Sequence, residues 1–354
     1  MNVRRVALVG YYGRGNFGDD LMAVIFGRFL QQQGVELRVF GLCEPYAKQF
    51  GFDVAHTPGE LLDGADLLVG GGGGALVPWR GLIARKLHPQ AAIGNLPVLH
   101  EAERRGIPLV ALSVGGSGNT DPPASEERRA KLLAMARRMT VRNEVDLALP
   151  RRAGVRSEWF PDIVWHTGEM FPVRKSRSGG RLRIGIDIYP SNLLRQHGEY
   201  LVPLLQAAVL RRRDVDFVFM DSANRTRSPY RGIGLAVWGS NVTRYQFEYL
   251  EQDLEMLAGL DALVSTRLHV PIVCLQYGVP VASLLGEGKT RLLFGSLGLH
   301  GHSYSHGRMI ELAKVMLGRQ GWEGWIGGYV FPPVRQLREG CLGHLRVLRE
   351  ELGQ

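Results

Sequence analysis

Cysteine is scarce in this chain of 354 residues. Its three cysteines, Cys43, Cys274 and Cys341, lie far apart and form no CxxC pair. This spacing excludes the dense disulfide framework of small secreted domains and the paired thiol ligands of zinc ribbons. Because free cysteines are usually buried in apolar surroundings, we expect three buried thiols in a protein of a reducing compartment.

Long apolar runs are also missing. No segment of the sequence reaches the roughly 18 consecutive apolar residues that a membrane-spanning helix needs. The first apolar segment, residues 6–9, predicts a strand rather than a signal peptide. Hydrophobic residues make up 45% and charged residues 22% of the chain, which is ordinary for a globular protein. We therefore expect a cytoplasmic protein.

Acidic residues are in deficit. The 34 aspartates and glutamates stand against 43 lysines and arginines, which leaves a net charge of +9. Such a charge favours anionic partners: phosphorylated metabolites, a membrane surface or nucleic acid. A basic loop with Arg225, Arg227 and Arg231 lacks the repeated aromatic residues of a nucleic-acid stacking platform. We therefore expect no nucleic acid among the partners, whereas peripheral contact with a membrane is compatible with the charge.

What the chain does contain is a regular alternation of apolar strands and amphipathic helices, which predicts an α/β fold. A chain of this length is long for one hydrophobic core. The polar, basic segment 173–181 predicts a linker between an N-terminal domain, 1–172, and a C-terminal domain, 182–332. Segment 333–354 has helical spacing, and we expect it to pack back on the N-terminal domain.

Glycine-rich loops follow three predicted strands of the N-terminal half. These strands and loops are 4–10 with 11–20, 65–69 with 70–74, and 109–114 with 115–119. In a parallel sheet such loops share one edge, which is where doubly wound folds bind ligands. The same patterns predict helices at 20–33, 125–138, 193–212 and 246–257.

The first loop contains Gly13-x-Gly15-x-x-Gly18, the spacing of a dinucleotide fingerprint. Three residues separate the strand from the first glycine, however, and no acid ends the second strand, so we expect no nicotinamide or flavin. The glycines still let a ligand approach the backbone, where Asn16 and Asp19 can bind sugar hydroxyls. Alternatively, Asp19 or Asp20 only caps the following helix.

The stretch 261–289 organises the C-terminal half. Strands at 261–264 and 279–285 flank an apolar helix at 270–277, with Pro271 in its first turn and Gly278 at its end. Residues 266–269 therefore lie on a strand-to-helix turn, where Arg267 and His269 can converge on an anionic ligand beside free helix N–H groups. The alternative is that Arg267 pairs with Asp261 or another surface acid and that His269 only caps the helix.

Arg142 also follows a predicted strand, 139–141, and its alternative role is an i,i+4 pair with Asp146. Three histidines, His300, His302 and His306, suggest a metal cluster by their proximity. They have no nearby cysteine and no defined set of acids, so we expect no metal site.

Five motifs occur in a familiar order. They are GYYGRGNFGDD (10–20), DLLV before the glycine run (66–69), TVRN (140–143), RLH (267–269) and GVP (278–280). Together they resemble the polysaccharide pyruvyl transferase family over about residues 4–300. The resemblance implies two Rossmann-like domains facing across a cleft, as in GT-B glycosyltransferases. It also implies transfer of a pyruvyl group from phosphoenolpyruvate to sugar hydroxyls of a cell-surface polysaccharide or its lipid-linked precursor, with ketal formation and release of phosphate.

The resemblance implies roles as well. Arg142 and Arg267 would hold the phosphate and carboxylate of phosphoenolpyruvate, and His269 would protonate its methylene carbon. Asp19 would be the base for the attacking hydroxyl. Further substrate contacts would come from Leu268, Lys289, Asn16, Gly18, Gly72 and Gly73. Phosphoenolpyruvate is then the donor substrate, the acceptor is a glycan or lipid-linked glycan, and no cofactor is expected.

Two other functions fit parts of the sequence. A GT-B glycosyltransferase would use a nucleotide sugar, and an acidic ribose clamp in the C-terminal half would support this function. A non-catalytic protein would hold an anionic glycan, a membrane or nucleic acid through the 225–231 loop and the basic linker.

Overall fold

The computed structural model describes residues 3–74, 76, 95–116, 127–174, 180–188, 192–222, 237–286, 288–318 and 321–354. The chain divides into two compact units. The first unit comprises residues 1–13, 19–166 and 336–354, and the second comprises 14–18 and 167–335. Residues 14–18 thus leave the first unit, and the last 19 residues return to it.

The first unit contains a seven-stranded parallel sheet in the order β3-β2-β1-β4-β5-β6-β7. Its strands are β1 (Arg5–Val9), β2 (Glu36–Phe40), β3 (Asp53–Ala55), β4 (Leu67–Gly71), β5 (Leu109–Val114), β6 (Ala136–Val141) and β7 (Arg156–Trp159). The strand order reverses between β1 and β4, the arrangement of a Rossmann-like sheet.

The second unit repeats this plan with six strands in the order β10-β9-β8-β11-β12-β13, again all parallel. They are β8 (Leu182–Asp187), β9 (Val215–Met220), β10 (Val242–Tyr245), β11 (Ala262–Ser265), β12 (Val281–Leu284) and β13 (Ser303–Tyr304). Here the order reverses between β8 and β11, so the last residues of these strands, Asp187 and Ser265, pair in register. Ligands of such sheets bind beyond the carboxyl ends of strands at this point.

Helices connect the strands. In the first unit and its junction they are α1 (Phe17–Gln32), α2 (Glu44–Phe50), α3 (Pro58–Leu61), α4 (Leu96–Arg104), α5 (Glu127–Met135) and α6 (Ala148–Arg152). The second unit has α7 (Thr167–Met170), α8 (Asn192–Arg211), α9 (Leu250–Ala258), α10 (His269–Gln276), α11 (Gly288–Ser296), α12 (Met309–Leu317) and α13 (Gly321–Gly327). The tail forms α14 (Val334–Cys341) and α15 (Gly343–Glu351). The α/β fold with two Rossmann-like halves is confirmed.

Central strands are buried on both faces, which explains why they are continuous apolar runs in the sequence. Every residue of β5 is buried, and β8 and β9 are buried from their third residue onward. Each unit has its own core, built from one sheet and the helices that cover it. Gly278 adopts a φ of +71° after α10, as its predicted place at the helix end requires.

Several element predictions were wrong in detail. The helix predicted to reach residue 138 ends at Met135, and β6 begins at Ala136, so Arg138 lies on a strand. The helix predicted from 246 begins at Leu250, after the short strand β10. The tail forms two helices rather than one, and residues 175–179 of the predicted linker lie outside the described residues. Cys274 and Cys341 are buried as expected, but Cys43 is only partly buried.

Candidate functional site

The turn after β11 stands at the carboxyl edge of the second sheet, beside the point where the strand order reverses. α10 begins directly at His269, and Pro271 lies in its first turn as predicted. The residue before the helix, Leu268, makes no side-chain cap. His269 is therefore the first residue of the helix rather than its cap, so the capping alternative is wrong.

Arg267 is half-buried, whereas Leu268 and His269 are 7% and 8% exposed. The backbone N–H of Arg267 donates to Ser265 Oγ at 2.9 Å, which fixes the start of the turn. Asp261 lies before β11, at the other end of this strand, and its carboxylate accepts from the Arg183 N–H at 2.9 Å. The alternative pairing of Arg267 with Asp261 is therefore not what the structure shows.

His269 packs on the segment 14–18, which belongs to the same unit. A Cβ placed on Gly18 would lie 1.9 Å from His269 Nδ1, so only glycine leaves room for the imidazole ring there. Phe17 anchors the segment: its N–H donates to the Ser222 carbonyl at 2.8 Å, and its ring lies 4.8 Å from that of Phe247. Gly18 of the first motif is thus in contact with His269 of the RLH motif.

Asn16 caps α1. Its Oδ1 accepts from the Gly18 N–H at 3.1 Å, the bond that a helix-capping asparagine makes. The prediction that Asp19 or Asp20 caps this helix is wrong, because α1 begins two residues earlier and both acids lie in its first turn. There a carboxylate is favoured by the positive end of the helix dipole. Asp20 Oδ1 accepts from the Gly13 N–H at 2.6 Å.

Lys289 is the second residue of α11, which follows β12. β12 lies next to β11 in the sheet, and Ser265 and Ser283 pair in register. Lys289 is half-buried. A second cation therefore follows the strand adjacent to the one that carries Arg267.

Asp19, Gly72 and Gly73 belong to the first unit. Both glycines have positive φ, +76° and +81°. A Cβ on Gly72 would lie 2.1 Å from Met22 Sδ, and one on Gly73 would lie 3.4 Å from Asp19 Oδ1. Gly72 is therefore required by its conformation and by close packing on α1, and Gly73 is required by its conformation. Asp19 lies near this run and, with Asp20, adds to the rise in the pKa of the Tyr12 phenol that burial causes.

Arg142 is placed at the carboxyl end of β6 as predicted, but its partner was missed. Its Nη1 lies 2.9 Å from Asp162 Oδ2, and the two side chains are 3% and 5% exposed. Asp146 instead accepts from the Gly116 N–H and from Asn143 Nδ2, each at 2.7 Å. The Asp146 alternative for Arg142 is therefore wrong. The pairing of residues 142 and 162 depends on β7 lying beside β6, which sequence spacing does not reveal.

Asp187 was also missed. It is the last residue of β8, has no solvent exposure, and stands beside Ser265. Burial raises the pKa of its carboxyl to about 6, while the positive charge of Arg267 lowers it. One signal was available in the sequence: an aspartate within the otherwise apolar run 184–188.

The three clustered histidines have other surroundings. The His302 ring lies 4.5 Å from Tyr329 and 5.3 Å from Trp325, and burial lowers its pKa. His306 lies 6.3 Å from Tyr200. Among the described residues, no group of histidine, cysteine or acidic side chains is arranged to hold a metal ion, and no helix is long and apolar enough to cross a membrane. The basic loop with Arg225, Arg227 and Arg231 lies outside the described residues.

Comparison with solved structures shows the fold. Over 98% of this chain and 97% of the other, it is similar to S. aureus MnaA solved with UDP, with a TM-score of 0.66 at 10% identity. The UDP-GlcNAc 2-epimerase of Methanocaldococcus jannaschii matches with a TM-score of 0.60 at 8% identity, covering 98% and 99%. The glycosyltransferase SnogD of Streptomyces nogalater matches with a TM-score of 0.52 at 15% identity, covering 99% of each chain.

Comparison of sequences is more specific. No curated protein matches this chain significantly. The family model described as polysaccharide pyruvyl transferase matches residues 16–286. The match begins at Asn16, which caps α1, and ends two residues after β12. This range is more than half of the chain and includes Arg142 and the turn with Arg267 and His269. The chain therefore belongs to the polysaccharide pyruvyl transferase family.

Proposed function

We propose that this protein transfers the pyruvyl group of phosphoenolpyruvate to sugar hydroxyls of a cell-surface polysaccharide or its lipid-linked precursor, forming a ketal and releasing phosphate. Family membership supports the reaction class. The observation that carries the proposal is the carboxyl edge of the second sheet. There the adjacent strands β11 and β12 lead into Arg267, His269 and Lys289 at the starts of two helices.

The donor has chemistry that suits this edge. Phosphoenolpyruvate carries a phosphate and a carboxylate, and each is matched by a cation and by the N–H groups of a helix start. In the proposal Arg267 and Lys289 hold these anions, and His269 protonates the methylene carbon. Leu268 is buried, so its contribution is its backbone. Asn16 and Gly18 support the site indirectly, since one caps α1 and the other makes room for the ring of His269.

The reaction balances as follows. One acceptor hydroxyl oxygen bonds to C2 of the donor while C3 receives a proton and becomes a methyl group. The C2–O bond to phosphate then breaks, and a second hydroxyl oxygen closes the ketal. Of the two hydroxyl protons released, one balances the proton gained by C3 and the other leaves with phosphate. No oxidant or reductant is needed.

Residues of the first unit are proposed for the acceptor side. Asp19 is the candidate base for the attacking hydroxyl, and Gly72 and Gly73 are candidate contacts near it. Arg142 stays a prediction as an anion contact, because its ion pair with Asp162 already accounts for its place in the first unit.

A thermal-shift and turnover experiment tests the proposal. Phosphoenolpyruvate should stabilise the wild type, and incubation with lipid-linked glycan acceptors should release phosphate and give a pyruvylated product by mass spectrometry. Arg267→Ala should lose the stabilisation, and loss of one anion-stabilising donor should slow turnover about 10²–10³-fold. Arg183→Ala and Arg291→Ala are matched controls, because Arg183 lies near the opposite end of the sheet and Arg291 is exposed on α11. Both should behave like the wild type.

The alternative donor is a nucleotide sugar. Several structural neighbours are described with UDP or UDP-GlcNAc, and the sequence left open a nucleotide-sugar transferase. Stabilisation by a UDP-sugar with none by phosphoenolpyruvate would overturn the proposal.

A further inference from the structure

Asp187 is a buried acid at the centre of the second unit's carboxyl edge. Its side chain has no solvent exposure. Three donors surround the carboxylate: the Ser222 N–H at 3.1 Å from Oδ1, and the hydroxyls of Ser222 and Ser265 at 3.0 and 2.8 Å from Oδ2. These donors come from the ends of β9 and β11, the two strands that flank β8.

The same hydrogen bonds lead to Arg267. Ser265 Oγ donates to Asp187 and accepts from the Arg267 N–H, and the Thr266 N–H donates to the Asp187 carbonyl at 3.0 Å. The Thr266 N–H is therefore bonded to Asp187 directly, and the Arg267 N–H is bonded to it through Ser265. Moving this residue would move the start of the turn that carries Arg267.

Two charged groups act on the carboxylate from the neighbouring strands. Arg267, after β11, lowers the pKa of Asp187, and Asp221, after β9, raises it. Burial is the largest influence and brings this pKa to about 6. Asp187 is therefore mostly ionised at neutral pH and takes up a proton readily when more negative charge comes near.

The two serine hydroxyls allow this change without a change of shape. A hydroxyl can donate to a carboxylate or accept from a protonated carboxyl group. Ser265 can thus turn its proton while it still accepts from the Arg267 N–H. Protonation of Asp187 changes the charge of the site by one and leaves its hydrogen-bonded frame in place.

We propose that Asp187 is a positioning residue and the proton-accepting counter-charge of the donor site. It holds the turn that carries Arg267, and it becomes protonated when an anionic donor binds there. The inference rests on the proposed function, since it places the donor's negative charge at Arg267. Donor binding is then coupled to proton uptake by a residue that does not touch the donor.

The test is titration calorimetry of phosphoenolpyruvate in pairs of buffers with different ionisation enthalpies, from about pH 5 to about pH 8. The variants are Asp187→Asn, which imitates the protonated form, and Asp261→Asn, a control at the other end of the sheet. The donor's phosphate and other groups also exchange protons in this range, so the difference between wild type and Asp187→Asn isolates Asp187. Asp261→Asn should take up as many protons as the wild type.

The expected difference can be bounded. With a pKa of about 6, protonating Asp187 at pH 7 costs the wild type about a tenfold loss of affinity. Asp187→Asn should therefore take up fewer protons at neutral pH and bind phosphoenolpyruvate up to about tenfold more tightly. Near pH 5 the two proteins should bind alike.

Each contrary outcome has its own meaning. Equal proton uptake and equal affinity of wild type and Asp187→Asn across the range would overturn the inference while leaving donor binding intact. If Asp187→Asn does not fold, Asp187→Ser takes its place, and proton uptake and affinity equal to those of the wild type would overturn the inference as well. Failure of the wild type to bind phosphoenolpyruvate under any condition would instead overturn the proposed function.

Discussion

At the scale of single residues, the site requires a glycine at position 18. Gly18 has no Cβ, and the ring of His269 occupies the space where one would stand. Gly18 is also the second residue of α1, a position where alanine would favour the helix. The requirement for glycine therefore comes from the histidine and not from the backbone.

Gly18→Ala should displace His269 and reduce activity with phosphoenolpyruvate at least tenfold, with an overpacking cost of about 1–3 kcal/mol. Gly324→Ala is the matched control, since Gly324 lies in α13 and a Cβ there meets nothing within 4 Å. Kinetics and thermal denaturation of both variants decide the matter. Full activity of Gly18→Ala would show that the ring of His269 can move without loss.

Arg142 and Asp162 form the second residue-scale feature, a buried ion pair. Removing one partner of such a pair leaves an uncompensated buried charge, which typically costs about 3–5 kcal/mol. Asp162 also accepts from the Val164 N–H at 3.0 Å through its other oxygen. A neutral replacement should keep that acceptor.

Arg142→Met should therefore lower the free energy of unfolding by about 3–5 kcal/mol, measured by urea denaturation. Adding Asp162→Asn should recover part of this loss, because no charge is then left buried. Lys48→Met, which breaks the exposed pair with Glu44, should have no measurable effect. A double variant no more stable than Arg142→Met would contradict the explanation by charge.

Residues of this kind mark the limit of prediction from sequence. The turn with Arg267 and His269 could be placed because flanking strands, Pro271 and Gly278 fix it locally. The partner of Arg142 could not, since side-chain pairing depends on neighbours brought by the fold. The cap made by Asn16 is local, and it was missed because the start of α1 was expected three residues too late. Asp187 was overlooked because an acid inside an apolar strand gains a role only when the adjacent strand ends are known.

At the scale of elements, central strands were the most predictable part. β5 has the limits expected from its apolar run, because burial on both faces leaves a continuous signal. The edge strand β10 was missed, since its middle residues are exposed and polar. The junction of α5 and β6 was misplaced because Ala136 and Arg138 fit a helix as well as a strand.

The last helix, α15, is attached through a buried histidine. His344 is fully buried, with Nδ1 2.6 Å from Thr140 Oγ1 and Nε2 2.9 Å from the Pro161 carbonyl. Burial lowers the pKa of His344 to about 4, so the folded protein holds it neutral. The unfolded chain binds a proton at this residue below about pH 6.5.

The free energy of unfolding of the first unit should therefore decrease as pH falls from about 6.5 towards 4. His344 accounts for at most about 3 kcal/mol of this decrease. His344→Gln keeps one donor and one acceptor and should remove this part of the pH dependence. Urea denaturation can be followed by labelling of Cys341, which is buried on α14. An unchanged pH dependence in His344→Gln would exclude the histidine as its source.

At the scale of the whole molecule, the two units should respond to acid in opposite directions. The pKa of Asp187 is raised in the folded state, so the second unit binds a proton more tightly than the unfolded chain does. Its contribution to stability therefore falls as pH rises from about 4 to about 6. His344 acts on the first unit with the opposite sign over nearly the same range.

Cys274 and Cys341 give each unit a buried reporter, since one lies in α10 and the other in α14. On acidification from about pH 7 to about pH 5, the urea midpoint for labelling Cys341 should fall relative to that for Cys274. A disulfide reagent that reacts at acid pH makes the measurement practical. The Asp187→Asn, His344→Gln double variant should show a smaller divergence. Identical midpoints at every pH would contradict the prediction.

The path of the chain between the units has a consequence for biosynthesis. The first unit takes its final segment from residues 336–354, after the whole second unit has been made. During translation, β1 to β7 are therefore synthesised long before α15, whose His344 bonds to Thr140 and Pro161. Domains usually fold in the order of their synthesis, but here the N-terminal unit is completed last. Until residues 336–354 have been made, the surface of the first unit that packs against α15 has no cover.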